Sequence, residues 1–133
     1  MVETRLTPEL IKEGARLVEK LDQAGVGPDA AFWFYFPDIG AWKLFVAETK
    51  VAAAGPREVY KQIQKTLQKF RNEITHLSLE DVAVAKSDAP LVALLASAIS
   101  VAPGLGGIRF SRNVINGVPI EDAYIYRLKR PAA

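Results

Sequence analysis

The apolar positions of this chain change their period several times, and each change marks an element. Leu10, Ile11, Leu17, Val18 and Leu21 recur at helical spacing and predict one buried stripe. Thr7 in the capping position, Pro8 in the first turn and Glu9 at the positive end of the dipole predict where that helix starts. Gly25 predicts its end, and the Gly27-Pro28 step reinforces the stop.

The run Ala31-Phe32-Trp33-Phe34-Tyr35-Phe36 then favours a strand. Pro37-Asp38-Ile39-Gly40 is turn chemistry, and Trp42 to Lys50 reads as the returning strand of a hairpin. Alternation places Phe32, Phe34 and Phe36 on one face and Trp33 and Tyr35 on the other. Both faces are apolar, so this strand is expected to be central, to carry a second covering layer, or to form a subunit contact.

Pro56 opens a second helix that runs to about Asn72, with Tyr60, Ile63, Leu67 and Phe70 as its buried stripe. Val82-Ala83-Val84-Ala85 is a short strand. Ser87 or Asp88 then caps an apolar helix carrying Leu91, Val92, Leu94, Leu95 and Ile99, which must be covered on most sides.

Asn116-Gly117 between two alternating runs is a two-residue hairpin signal, and it sets the register of the strands around it. The expected pairs are Ile108 with Ile125, Phe110 with Ala123 and Arg112 with Glu121 on an apolar face. Arg109 with Tyr124, Ser111 with Asp122 and Asn113 with Ile120 make a mostly polar one. Pro119 makes its strand an edge near the turn. The element order α-β-β-α-β-α-β-β predicts an α+β fold. Its mostly antiparallel sheet has about five strands, with three helices packed on one face.

Composition narrows the function classes more than it selects one. The 133 residues fit a single domain able to bury its own core. Cysteine is absent, which removes disulfides, thiolate metal sites and thiol nucleophiles, and fits a cytoplasmic protein. The net charge of +2 is too small to argue for nucleic acid by itself. The start, Met1-Val2-Glu3-Thr4-Arg5, has no apolar segment typical of a signal peptide. Ala89 to Ile108 carries no charge, but Pro103, Gly104, Gly106 and Gly107 interrupt it, so a buried helix is expected there and not a membrane span.

Five groups of residues invite a chemical reading. Pro37-Asp38 followed by Glu48-Thr49-Lys50 resembles the PD…ExK pattern of metal-dependent nucleases, in which Asp and Glu hold a divalent cation and Lys assists the attacking water. A hairpin separates those carboxylates by roughly 20 Å at ~3.3 Å per residue, too far for one metal. Arg57, Lys61, Lys65 and Lys69 follow at i, i+4 spacing and form one ridge, flanked by Gln64, Gln68 and Arg71, with Glu58 the nearby carboxylate. Like charges so arranged repel unless something anionic answers them: a nucleic-acid backbone, an acidic protein or acidic residues elsewhere in this chain. The plainer alternative is a solvated helix face with snorkelling lysines. Arg109, Ser111, Asn113, Asp122, Tyr124 and Tyr126 share the polar face of the last hairpin, where Arg109 can pack over Tyr124 or meet a ligand. His76 is the one histidine and reads as a connector residue, with Glu73 and Glu80 its nearest carboxylates in sequence. Gly104-Leu105-Gly106-Gly107 follows a helix, the reverse of a phosphate loop's order.

The sequence does not select one function. It favours a non-enzymatic binding module with no catalytic residue, metal or cofactor, and the alternative is a metal-dependent nuclease built on Asp38, Glu48 and Lys50. The binding module's candidate contacts are Arg57, Lys61, Lys65, Lys69, Arg109 and Tyr124. Nucleic acid is the first expected partner and an acidic protein the second, with no membrane contact. A homodimer is expected from the surplus of apolar surface on the aromatic strand and the apolar helix.

Overall fold

The computed structural model describes residues 5–48, 55–98 and 107–128. Met1 to Thr4, Lys50, Ile99 and Gly104 to Gly106 lie outside them. The first helix, α1, is Pro8–Gln23, and the Thr7 hydroxyl accepts from the Leu10 amide at 3.2 Å. Gly25 leaves it at φ +85°, a left-handed turn that glycine reaches without a Cβ penalty. Strands β1 (Ala30–Phe36) and β2 (Ala41–Glu48) form the aromatic hairpin. Helix α2 (Arg57–Lys69) leads through a connector to β3 (Val82–Lys86). Helix α3 (Pro90–Ala98) precedes the last hairpin, β4 (Ile108–Ile115) and β5 (Val118–Leu128).

The five strands lie in the order β3-β2-β1-β5-β4, so the aromatic strand is the middle one. Trp33 stands opposite Leu44 on one side and Tyr124 on the other, both antiparallel. β3 runs parallel to β2, from Leu44 beside Val82 to Glu48 beside Lys86. A strand that follows a helical crossover returns in the same direction, which is why α2 makes the sheet mixed.

The α+β class, the element order and the mostly antiparallel sheet agree with the sequence. The helices distribute differently, over both faces. Leu17, Val18 and Leu21 of α1 and Val59 and Ile63 of α2 pack with Ala31, Trp33, Val46 and Tyr126. Val92, Leu95 and Ala96 of α3 pack on the opposite face with Phe32, Phe34 and Ile125. The cause lies in β1: Phe32 and Trp33 point to opposite sides and each is essentially fully buried. Burying each ring contributes about 2–3 kcal/mol, so neither face tolerates water. Phe32 also stacks on Phe45 at 5.1 Å between centroids. Because the chain's own helices cover both faces, this strand no longer argues for a homodimer.

The last hairpin has the register its turn demands, with Ile108 opposite Ile125, Ser111 opposite Asp122 and Asn113 opposite Ile120. Asn116 and Gly117 take φ of 50° and 80°, as a mirror-image turn requires. The strict alternation of faces fails at one point. Arg112 adopts φ 47°, and beyond it Ile120 is buried in the α3 core and not on the polar face the alternation predicts. A left-handed residue rotates the chain locally, so Ile115 and Ile120 both reach apolar cover. β5 pairs with β1 only from Ala123 to Leu128, which leaves Pro119 on an edge.

A bulge in β5 opposite Ala31 and Phe32 inserts Tyr126 between Ile125 and Arg127. It turns Tyr126 and Arg127 together toward α1. The Tyr126 hydroxyl donates to the Ile11 carbonyl at 2.5 Å and accepts from Trp33 Nε1 at 2.9 Å. The Arg127 guanidinium forks onto Asp22 at 2.7 and 2.9 Å. No described helix is long and apolar enough to cross a membrane.

Candidate functional site

The basic ridge forms as the α2 sequence dictates. Val59, Ile63 and Thr66 face the core, which turns Arg57, Lys61, Lys65 and Lys69 outward, and all four are exposed. The four side chains run ~18 Å along the helix at 1.5 Å per residue. Lys61 meets Glu58 at 3.7 Å, an exposed pair that contributes little. The ridge lies between two hollows. One, of about 470 Å³, includes Gln64, Gln68 and Arg71 over Leu67 and Ile74. The other, of about 310 Å³, lies between α1 and α2 and brings Lys20 beside Lys65, Lys69 and Phe70. Lys20 Nζ stands 4.4 Å from the centre of the Phe70 ring and Lys69 Nζ 5.5 Å from it. Lys20 thus joins the ridge from another helix, a neighbour that sequence spacing alone does not reveal.

Arg109 and Tyr124 stand opposite each other as expected, but the arginine's ring partner is Trp42, with the guanidinium carbon 5.5 Å from the ring centre. Its nitrogens fork onto Asp122 at 2.6 and 2.8 Å, and Ser111 donates to the same carboxylate at 2.7 Å. Burial pushes the Asp122 carboxyl up, while Arg109 and Ser111 pull it further down, so it sits below its ordinary value. Tyr124 and Tyr126 meet edge to face, with ring centres 5.3 Å apart. Tyr126 is buried under α1 and leaves the polar surface altogether. The hairpin face is therefore a closed set of mutual contacts, and its arginine already has a carboxylate.

The nuclease-like residues do not come together. Asp38 is exposed in the turn between β1 and β2, and Glu48 is buried at the far end of β2 beside Lys86. Seven strand steps separate that turn's end from Glu48, ~23 Å at ~3.3 Å each. Lys50 lies outside the described residues. Among the described residues, no three His, Cys, Asp or Glu side chains gather where they could hold a metal ion.

The structure's unforeseen arrangement is at His76. Glu13 of α1 is buried, and its Oε1 accepts from the amides of His76 at 2.7 Å and Leu77 at 2.9 Å. Its Oε2 lies 2.7 Å from His76 Nδ1 and accepts from the Thr75 hydroxyl at 3.4 Å. The orienting carboxylate is therefore neither Glu73 nor Glu80. Burial pushes the Glu13 carboxyl up, and its bonds to His76 and Leu77 more than reverse this, holding it below its ordinary value. The same pair raises the His76 imidazole, chiefly through the hydrogen bond to Glu13. A signal was present in the sequence: Glu13 falls three residues after Leu10 and four before Leu17, a carboxylate within an apolar stripe.

His76 borders a cleft of about 460 Å³ between the start of α1, the β1–β2 hairpin and the connector. Leu10, Trp33, Ala41 and Trp42 form its apolar wall, and Arg5, Lys43, His76 and Asp81 its polar rim. Lys43 Nζ donates to the Glu80 carbonyl at 2.6 Å. Asp81 closes a capping box with Ser78, accepting from its amide and hydroxyl at 3.0 and 3.2 Å. No family model, curated protein or solved structure matches this chain.

Proposed function

We propose that this chain is a non-enzymatic binding module that holds a nucleic-acid backbone along the outer face of α2. The observation that carries the reading is the exposure of Arg57, Lys61, Lys65 and Lys69 at one-turn intervals. Phosphates answer such a row without sequence selection, and the release of their counterions supplies the affinity. Lys20 broadens the positive surface, and Gln64, Gln68 and Arg71 offer hydrogen-bond donors at its edge. Arg109 and Tyr124 take no part in this reading, since Asp122 already neutralises the arginine. The lack of cysteine fits a reducing compartment, and the proposal places the module in the cytoplasm.

Fluorescence anisotropy with labelled single- and double-stranded DNA and RNA, at low and at physiological salt, tests this. Binding that weakens steeply with salt and drops in the Lys61→Gln, Lys65→Gln double variant supports it. Flat curves for every nucleic acid refute it and turn the search to acidic proteins.

A further inference from the structure

The cleft beside His76 has a composition unlike the ridge, and nothing in the nucleic-acid reading uses it. Its volume of about 460 Å³ lies within the range of small-molecule sites. Two tryptophans, Leu10 and Ala41 give it an apolar wall, too apolar to favour a bare, strongly hydrated ion. Three side chains able to carry positive charge, from three separate segments, converge on its rim: Arg5 ahead of α1, Lys43 on β2 and His76 on the connector. The one carboxylate on that rim, Asp81, is bound into its own turn by Ser78.

Four of the groups around the cleft, His76, Lys43, Trp33 and Trp42, have their orientation set from behind. Glu13 holds His76 by Nδ1 and by its backbone amide, so Nε2 is the ring nitrogen left to meet a ligand. Lys43 is tethered to the Glu80 carbonyl through one of its three ammonium donors, and two remain. Trp33 is fixed by its Nε1 bond to Tyr126. Trp42 is braced by Tyr35 at 5.3 Å and by Arg109 at 5.5 Å. A flat wall held in place beside pre-oriented cations matches a flat apolar body that carries one negative group.

We propose that this cleft binds a small aromatic anion, an aryl carboxylate or aryl phosphate, with its ring against Trp42 and its charge among Arg5, Lys43 and His76. The site is independent of the α2 ridge: Lys61 and Lys65 do not line it. Its success or failure therefore leaves the nucleic-acid reading untouched.

Because the chain has one histidine, the ring proton on its Cε1 gives a single resolved NMR line. Titrating the full chain with benzoate and with phenyl phosphate should move that line saturably and change the tryptophan fluorescence with the same affinity. Lys43→Gln, a half-buried position with its head at the surface, should weaken binding about tenfold through loss of a charged hydrogen bond. Lys61→Gln should leave it unchanged. The proposal is overturned by the absence of a saturable shift with either anion, or by unaltered affinity in Lys43→Gln. It is also overturned if uncharged benzamide binds as well as benzoate, or if inorganic phosphate binds as well as phenyl phosphate.

Discussion

Glu13 Oε2 and His76 Nδ1 meet at 2.7 Å across 63 positions of sequence, joining the first helix to the connector that precedes β3. The same carboxylate takes two backbone amides of that connector. Glu13→Ala strands these donors, and a loss of about 2–4 kcal/mol is expected in urea unfolding, with a smaller loss in Glu13→Gln.

The pair also sets a pH window. Glu13 is lowered below 4.5 on folding, so its contribution is complete above that value and is lost as pH falls through the folded one. His76 is raised above 6.5, so its contribution is complete below that value and is lost as pH rises through the folded one. His76 also feels Glu9 of α1, which acts in the same direction. The pair's stabilisation is therefore greatest between 4.5 and 6.5. Unfolding free energies measured across pH should lose their alkaline decline in His76→Gln; an unchanged decline would assign it elsewhere.

Gly14 tests the packing of α1 on β5. Alanine at this helical position ordinarily gains about 1 kcal/mol. Here an added Cβ would overlap the Tyr126 hydroxyl and stand 2.9 Å from Trp33 Nε1, both closer than van der Waals contact allows. Overpacking of this kind costs about 1–3 kcal/mol, so Gly14→Ala should be net destabilising. Tyr126→Phe alone should cost about 1–2 kcal/mol, chiefly by stranding the buried Trp33 donor. Combined, the two should cost less than their sum, because the phenylalanine removes the obstructing oxygen.

Gly117 tests the turn of the last hairpin. Its φ of 80° suits glycine, and Gly117→Ala should cost about 1–2 kcal/mol. That corresponds to a fall of about 4–8 °C in Tm by calorimetry.

For the α2 ridge, duplex binding through four cations predicts a slope of log affinity against log salt near −0.9 per phosphate contact, about −3.6 in total. Lys61→Gln with Lys65→Gln should bring it to about −1.8. A slope that stays put would mean that these lysines meet no phosphate.

Local chemistry made much of the fold legible. Thr7-Pro8 and Gly25 bounded α1, and Asn116-Gly117 set the register of the last hairpin from Ile108 with Ile125 to Ile115 with Val118, interrupted where Arg112 was expected to meet Glu121. The exposed ridge also followed from spacing within one helix. What the sequence concealed depends on contacts between distant segments. The two-faced burial of β1 was evident, yet nothing local says which helix covers which face. Glu13 and His76 meet only because α1 packs beside the connector. Trp42 takes Arg109 because strands far apart in sequence lie on one face of the sheet. The rotation at Arg112 has no glycine or asparagine to announce it.

That rotation has a consequence for how molecules meet. Among the described residues β4 is the longer of the two outer strands, eight residues long, with Ile108 and Val114 exposed. A straight ladder of that length would template a strand from a neighbouring chain, and that one another, toward a fibre. Arg112 breaks the ladder near its middle and puts a charge at the break, leaving runs of four and three residues on either side. The twist that lets Ile120 find its core also makes the rim of the sheet a poor surface on which to polymerise.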